Sequence, residues 1–130
     1  MIVIDSNILV YVLIPGVRTA AVQALFVRET WVVPLLWRSE SRNVLTGYVR
    51  RGELAIEEAR ALQAEAEDLV GDSEYQVDSN IVLDLVNRSD CSAYDCEYVA
   101  LAKQLGVKLV TMDRKVLRAF PEVAVPLAVE

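Results

Sequence analysis

Four acidic residues of this chain, Asp5, Glu40, Asp95 and Asp113, stand where a carboxylate costs something to place. Asp5 and Asp113 follow short apolar runs, Val3-Ile4-Asp5 and Leu109-Val110-Thr111-Met112-Asp113. In a parallel sheet both fall at the carboxyl ends of strands, where open α/β sheets form their ligand sites. Glu40 has Leu36 and Val44 one helical turn to either side and Trp37 three residues before it. That pattern predicts a carboxylate projecting from an otherwise apolar face, which is costly to bury without a cation or several donors. Asp95, with Val99 and Ala102 on its helical face, is expected to point inward too. Converging carboxylates repel and raise one another's pKa unless a hard divalent cation such as Mg2+ or Mn2+ neutralises them.

Each acid also has a purely structural explanation. Asp5 and Asp113 can be helix N-caps, Ser92 to Asp95 a capping box, and Glu40 an ion-pair partner of Arg38 or Arg42. Taken singly, these are the stronger explanations; the four acids in this order and setting reverse the balance. Glu53, Glu57, Glu58, Glu65, Glu67, Asp68 and Asp84 are read as solvated surface. The chain has no histidine, which removes Ser-His and Cys-His schemes, and neither a Walker A nor a G-x-G-x-x-G loop occurs. Any chemistry must run on carboxylates and metal.

The elements that would position these acids alternate between β-branched runs and helical periods, an α/β pattern with a mainly parallel sheet of four to five strands. Strands are expected at Ile2-Val3-Ile4, Trp31-Val32-Val33, Tyr75-Gln76-Val77 and Val107 to Thr111, with an edge strand at Val123-Ala124-Val125. Helices are expected from Ile8 to Leu13, Thr19 to Arg28, Leu35 to Arg51, Ala55 to Leu69, Asn80 to Arg88 and Ser92 to Leu105, and in a short piece from Asp113 to near Pro121. Gly52, Gly71 and Gly106 supply helix stops.

At 130 residues the sequence fits one domain, 1–130. Its hydrophobic content of 54% against 25% charged residues exceeds that of an average soluble domain, so some apolar surface is expected to meet a partner, with Trp31, Trp37, Tyr11 and Tyr48 among the candidates, although most of these are expected to be core. The run Ile8 to Ile14 is too short for a bilayer span, and Asp5 interrupts the place where a signal peptide would need its apolar core. A cytoplasmic location without membrane attachment is the expectation. Cys91 and Cys96 have no histidine to complete a zinc site and are read as reduced structural cysteines. The net charge of -6 argues against broad, sequence-indifferent nucleic-acid binding, although a carboxylate site accounts for part of it and a bound cation would reverse the local sign.

At these residues the sequence resembles the PIN-domain family, and most closely the VapC-type toxins of toxin–antitoxin pairs. The matching pieces are Ile2 to Leu9, Glu40 with Asn43-Val44-Leu45, Tyr94 to Ala102, and Leu109 to Asp113. The resemblance implies a three-layer sandwich with a parallel sheet between helices, a pocket in which Asp5, Glu40, Asp95 and Asp113 hold Mg2+ or Mn2+, endonucleolytic cleavage of RNA, and a homodimer controlled by an antitoxin protein. By position it also implies that Asn7 lies near metal-bound waters and that Thr111 orients Asp113. Some family members carry a further acid beyond the last one, where this chain has Val116 and Leu117, which leaves the metal count open. Arg38, Arg42, Arg114 and Lys115 are candidates to contact RNA phosphates, against the commoner role of basic residues as plain surface.

Three other functions compete. An RNA-processing nuclease without an antitoxin would share the site. A phosphoacceptor receiver domain would want paired acids after the first strand, where this chain has Ser6-Asn7. A catalytically silent PIN fold used only for binding is the least attractive, because all four acids are intact.

Overall fold

Val3, Val32 and Leu109 pack on one side of the sheet, and Ile2, Ile4, Val33 and Val110 on the other, as the two-residue period of a strand requires. The computed structural model describes residues 1–128. Its strands are β1 (Ile2–Ile4), β2 (Trp31–Pro34), β3 (Glu74–Tyr75), β4 (Lys108–Val110) and β5 (Ala124–Val125), in the spatial order β3-β2-β1-β4-β5. Every neighbouring pair is parallel, so each side of the sheet needs a helical cover.

One cover consists of α1 (Ser6–Leu13), α2 (Thr19–Arg28), α3 (Trp37–Arg50) and α4 (Ile56–Val70), whose Ile8, Leu9, Val22, Trp37 and Ala66 pack with Ile4 and Val33. The other consists of α5 (Ser79–Asn87), α6 (Ala93–Leu105) and α7 (Arg114–Ala119), whose Leu85, Val99, Leu101 and Val116 pack with Val3 and Leu109. The result is the expected three-layer α/β sandwich with a parallel five-stranded sheet. Among the described residues no helix is long and apolar enough to cross a membrane. Both cysteines are free and buried.

Side-chain caps set the helix starts. Asp5 accepts from Ile8 N at the head of α1, Asp78 from Asn80 N and Ile81 N at α5, Ser92 from Asp95 N at α6, and Asp113 from Lys115 N and Val116 N at α7. At the far end of α6, Gly106 takes the left-handed conformation with φ 66°, which only glycine adopts without strain.

The structure departs from expectation at several element bounds, α1 beginning at Ser6 rather than Ile8 and β4 spanning Lys108 to Val110 rather than Val107 to Thr111. Strand β3 lies one residue earlier than Tyr75 to Val77, because Glu74 is pinned to Trp37 and Arg38 while Val77 turns to pack beside α5. Helix α3 begins at Trp37 rather than Leu35, since Leu35 N donates to Tyr75 O and so extends the pairing of β2 with β3. The buried stripe of α3 runs through Trp37, Ser41 and Leu45, so Glu40 sits on its shoulder and not at the centre of an apolar face. Of the aromatic interface candidates, Trp37 is core and the other three are half-buried. Trp37 is fully buried, Trp31 stacks on Phe26, and Tyr11 and Tyr48 lie under Arg18 and Arg51.

Candidate active site

The chain winds outward from β1 through β2 to β3, then crosses back to lay β4 on the other side of β1. The opening between the carboxyl ends of β1 and β4 is therefore the switch point of the sheet, where neighbouring crossovers diverge and leave a crevice. Ile4 pairs with Val110, and Asp5 N donates to Val110 O at 3.4 Å, so Asp5 and Thr111 leave the sheet side by side. The Thr111 hydroxyl donates to Asp5 Oδ2, while Asp5 Oδ1 accepts from Ile8 N at 3.1 Å. Two residues on, Asp113 N donates to Thr111 Oγ1 at 3.0 Å, and Asp113 Oδ1 caps α7.

Asp5, Glu40, Asp95 and Asp113 line one small cavity of about 70 Å³ at this crevice, together with Ser6, Asn7 and Tyr98. Glu40 comes from the first turn of α3 and Asp95 from the first turn of α6. The acids thus arrive from opposite helical layers and from two adjacent strand ends. The structural and the convergent explanations hold together here: Asp5 and Asp113 are N-caps and also face the cavity.

Electrostatics mark the site as costly. Burial pushes the Asp5 carboxyl above its ordinary value, against the bonds from Thr111 and Ile8, with Asp113 adding repulsion. Burial likewise raises Glu40, opposed by the nearby Tyr98 phenol and reinforced by Asp95, Asp5 and Glu97. Glu40 Oε1 and the Tyr98 hydroxyl are both buried without a hydrogen bond of good geometry, although the phenol is near enough to favour the charged carboxylate. Burial and the facing Glu40 push the Tyr98 pKa far up, so the phenol stays protonated.

Among the described residues no three acidic, cysteine or histidine side chains stand at the mutual spacing of a closed metal cage. A Mg2+-like ion does not need one, since it takes one or two carboxylates and keeps several waters. The orphaned Glu40 oxygen, the all-oxygen donor set and a cavity with room for about two waters fit such an ion.

The supporting and basic candidates separate. Asn7 lines the cavity. Thr111 lies at its floor, but its hydroxyl holds the Asp5 carboxylate, and it reaches Asp113 only through that residue's backbone. Arg38 does not pair with Glu40: it bridges Glu67 and Glu74 at 2.9 Å each, because residues two apart on a helix face nearly opposite ways. Arg42 lines a separate cleft between α3 and α4. Arg114 and Lys115 are exposed in the first turn of α7, beside Asp113. Sequence reasoning missed Ser6 and Tyr98 as members of the cavity; the spacing Asp95, Tyr98, Val99 and Ala102 on one helix face is the signal that could have found Tyr98.

Comparison with known proteins agrees with this fold. The sequence pattern of the PIN domain matches residues 2–124. A curated relative, Ribonuclease VapC3 of Pyrobaculum aerophilum, is 31% identical over 90 residues, covering 67% of this chain and 69% of the relative. Among solved structures, FitAcB from Neisseria gonorrhoeae superposes with a TM-score of 0.74 at 18% identity, over 98% of this chain and 97% of that one. A toxin-antitoxin complex from Klebsiella pneumoniae superposes with a TM-score of 0.70 at 13% identity, over 96% of each chain. At such identities the structural likenesses speak to the fold.

Proposed function

This chain belongs to the PIN-domain family, and from that premise we propose that it is a divalent-metal-dependent endoribonuclease, working as a single domain and as the toxin of a toxin–antitoxin pair. The observation that carries the proposal is the meeting of four carboxylates in one 70 Å³ cavity at the sheet's switch point. The likeness to a protein named as a ribonuclease supports RNA as the substrate, and the likeness to a toxin-antitoxin complex supports an antitoxin partner.

Asp5, Glu40, Asp95 and Asp113 would hold Mg2+ or Mn2+, which when bound supplies Lewis acidity toward the scissile phosphate and lowers the pKa of a water. The chain's own groups do the rest. Thr111 and the α1 amide at Ile8 fix Asp5 in one orientation, a preset geometry that costs no rearrangement during reaction. Glu40, with its raised pKa and free Oε1, is the carboxylate suited to take a proton from the attacking water. Tyr98, protonated and buried behind it, is placed to steady the carboxylate once charged. Arg114 and Lys115, at the exposed rim beside Asp113, are the basic residues best placed to meet RNA phosphates. A homodimer and an antitoxin that inserts a cationic side chain among the acids complete the proposal.

The test is cleavage of pooled cellular RNA by purified protein with Mg2+ or Mn2+, beside a chelator control and Asp5→Asn. Metal-dependent cutting that Asp5→Asn abolishes is the expected result. No cutting by folded, antitoxin-free protein with either metal would overturn it.

A further inference from the structure

A second, larger cleft of about 540 Å³ opens directly from the carboxylate cavity and shares Ser6, Asn7 and Glu40 with it. Its volume falls within the roughly 300–1,000 Å³ of small-ligand sites, whereas the 70 Å³ cavity has no room for more than an ion and waters. Apart from Glu40 at the shared wall, its lining is uncharged. Leu36 and Val44 give it an apolar floor, and Ser39 and Asn43, one turn apart on α3, give it neutral polar groups. Ser41 and Thr46 on the same helix spend their hydroxyls on Gln63 and Arg42 O, whereas among the described residues Ser39 and Asn43 make no such side-chain bond. Tyr94, the residue before Asp95, lines the cleft and is 63% exposed.

We propose that this cleft receives the unpaired base next to the scissile phosphate of single-stranded RNA, with Tyr94 stacking on the base and Asn43 and Ser39 bonding its edge. The inference rests on the nuclease proposal above and names its specificity site. An aromatic platform with neutral amide and hydroxyl groups is the chemistry that takes up a splayed base, because every base has a face to stack and an edge to pair. It also answers the charge problem of a chain at -6: the uncharged part of the nucleotide enters the protein, and its phosphate stays at the metal and the exposed Arg114 and Lys115. Duplex RNA, whose bases are stacked and paired, cannot enter.

Two measurements test it. The first maps cut sites in pooled cellular RNA with Mn2+ for the wild type, Tyr94→Ala and Asn43→Ala. Because Tyr94 is mostly exposed, its truncation leaves the fold intact, checked by melting temperature. The expected result is a wild-type base preference at one position beside the cut, a KM raised about five-fold or more by Tyr94→Ala with kcat nearly unchanged, and a flattened preference in Asn43→Ala. Cutting with the same preference and KM in both variants would overturn the inference. The second measures anisotropy of labelled single-stranded and duplex oligoribonucleotides on the Asp113→Asn protein in Mg2+, with and without Tyr94→Ala. Single-strand binding that Tyr94→Ala weakens, and that duplex lacks, supports the cleft even where the wild type cuts nothing and the nuclease proposal alone has failed. Binding indifferent to Tyr94, as expected if a partner protein covers the cleft instead, overturns it.

Discussion

Replacing Glu40 with Gln should make the metal-free protein more stable while removing its activity. Burial raises the Glu40 carboxyl above its ordinary 4.5, so in the pH range just above that value the folded chain holds a proton that the unfolded chain has released. Stability from this group is therefore fully present below pH 4.5 and is lost as pH rises through the folded-state pKa, above which the folded protein carries a disfavoured charge. Glutamine keeps a polar group there but not the charge, so the gain is the desolvation cost of the carboxylate, and because Glu40 is only half-buried the lower end of the roughly 1–3 kcal/mol for an unpaired buried group applies, about 1 kcal/mol. For a chain of this size that corresponds to a gain of about 4 °C in Tm. The assay is thermal unfolding followed by circular dichroism in chelator, at pH 7 and again at pH 4. Glu40→Gln should melt higher than wild type at pH 7 and equally at pH 4, where both side chains are neutral. Saturating Mg2+ or Mn2+ should raise the wild-type Tm, by about 2.7 kcal/mol in stability at a hundred times the dissociation constant, and raise that of the variant much less. A variant that melts below wild type at pH 7 in chelator, or whose gain is the same at pH 4, would refute the reasoning.

Asp113→Asn should abolish cleavage at near-wild-type Tm because the amide still caps α7, whereas Asp113→Ala should lose both activity and about 1 kcal/mol, seen as a lower denaturant midpoint. Thr111→Val leaves the buried Asp5 Oδ2 without its donor; a loss of about 1–3 kcal/mol and a roughly 10- to 100-fold weaker metal affinity by calorimetry are expected, with Thr111→Ser restoring both. Arg38→Ala should lower the Tm slightly by removing its ion pairs with Glu67 and Glu74, yet leave RNA cleavage at the wild-type rate; a large drop in cleavage at unchanged Tm would return Arg38 to the RNA-contact set.

The sheet and its order of elements were readable because each strand carries a short β-branched run and each helix a cap or stop that acts locally, as Asp5, Ser92 and Gly106 do. Asp5 and Asp113 were legible as a pair for the same reason, since a residue after a strand can only lie at its carboxyl end. What sequence could not supply was rotation and partner choice. The phase of α3 is fixed by Trp37 and Ser41 rather than by Leu36 and Val44, and that difference moves Glu40 from a core face to a cleft wall. Arg38 belongs to Glu67 and Glu74, distant in sequence, so no local pattern could assign it. Tyr98 shares a helix face with Asp95, but its place beside Glu40 appears only when two helical layers are brought together across the sheet.

The placement of β4 beside β1 also has a consequence for synthesis. The two strands that carry Asp5 and Thr111 lie more than a hundred residues apart, and until β4 emerges from the ribosome β1 has an open edge and Asp5 has neither its hydroxyl partner nor Asp113. Pairing at such separation is slow, and an unpaired central strand invites association with other chains. On the nuclease proposal, a growing chain therefore gains its site only once Lys108 to Asp113 have been made, and a product truncated before Lys108 should be both inert and prone to aggregate.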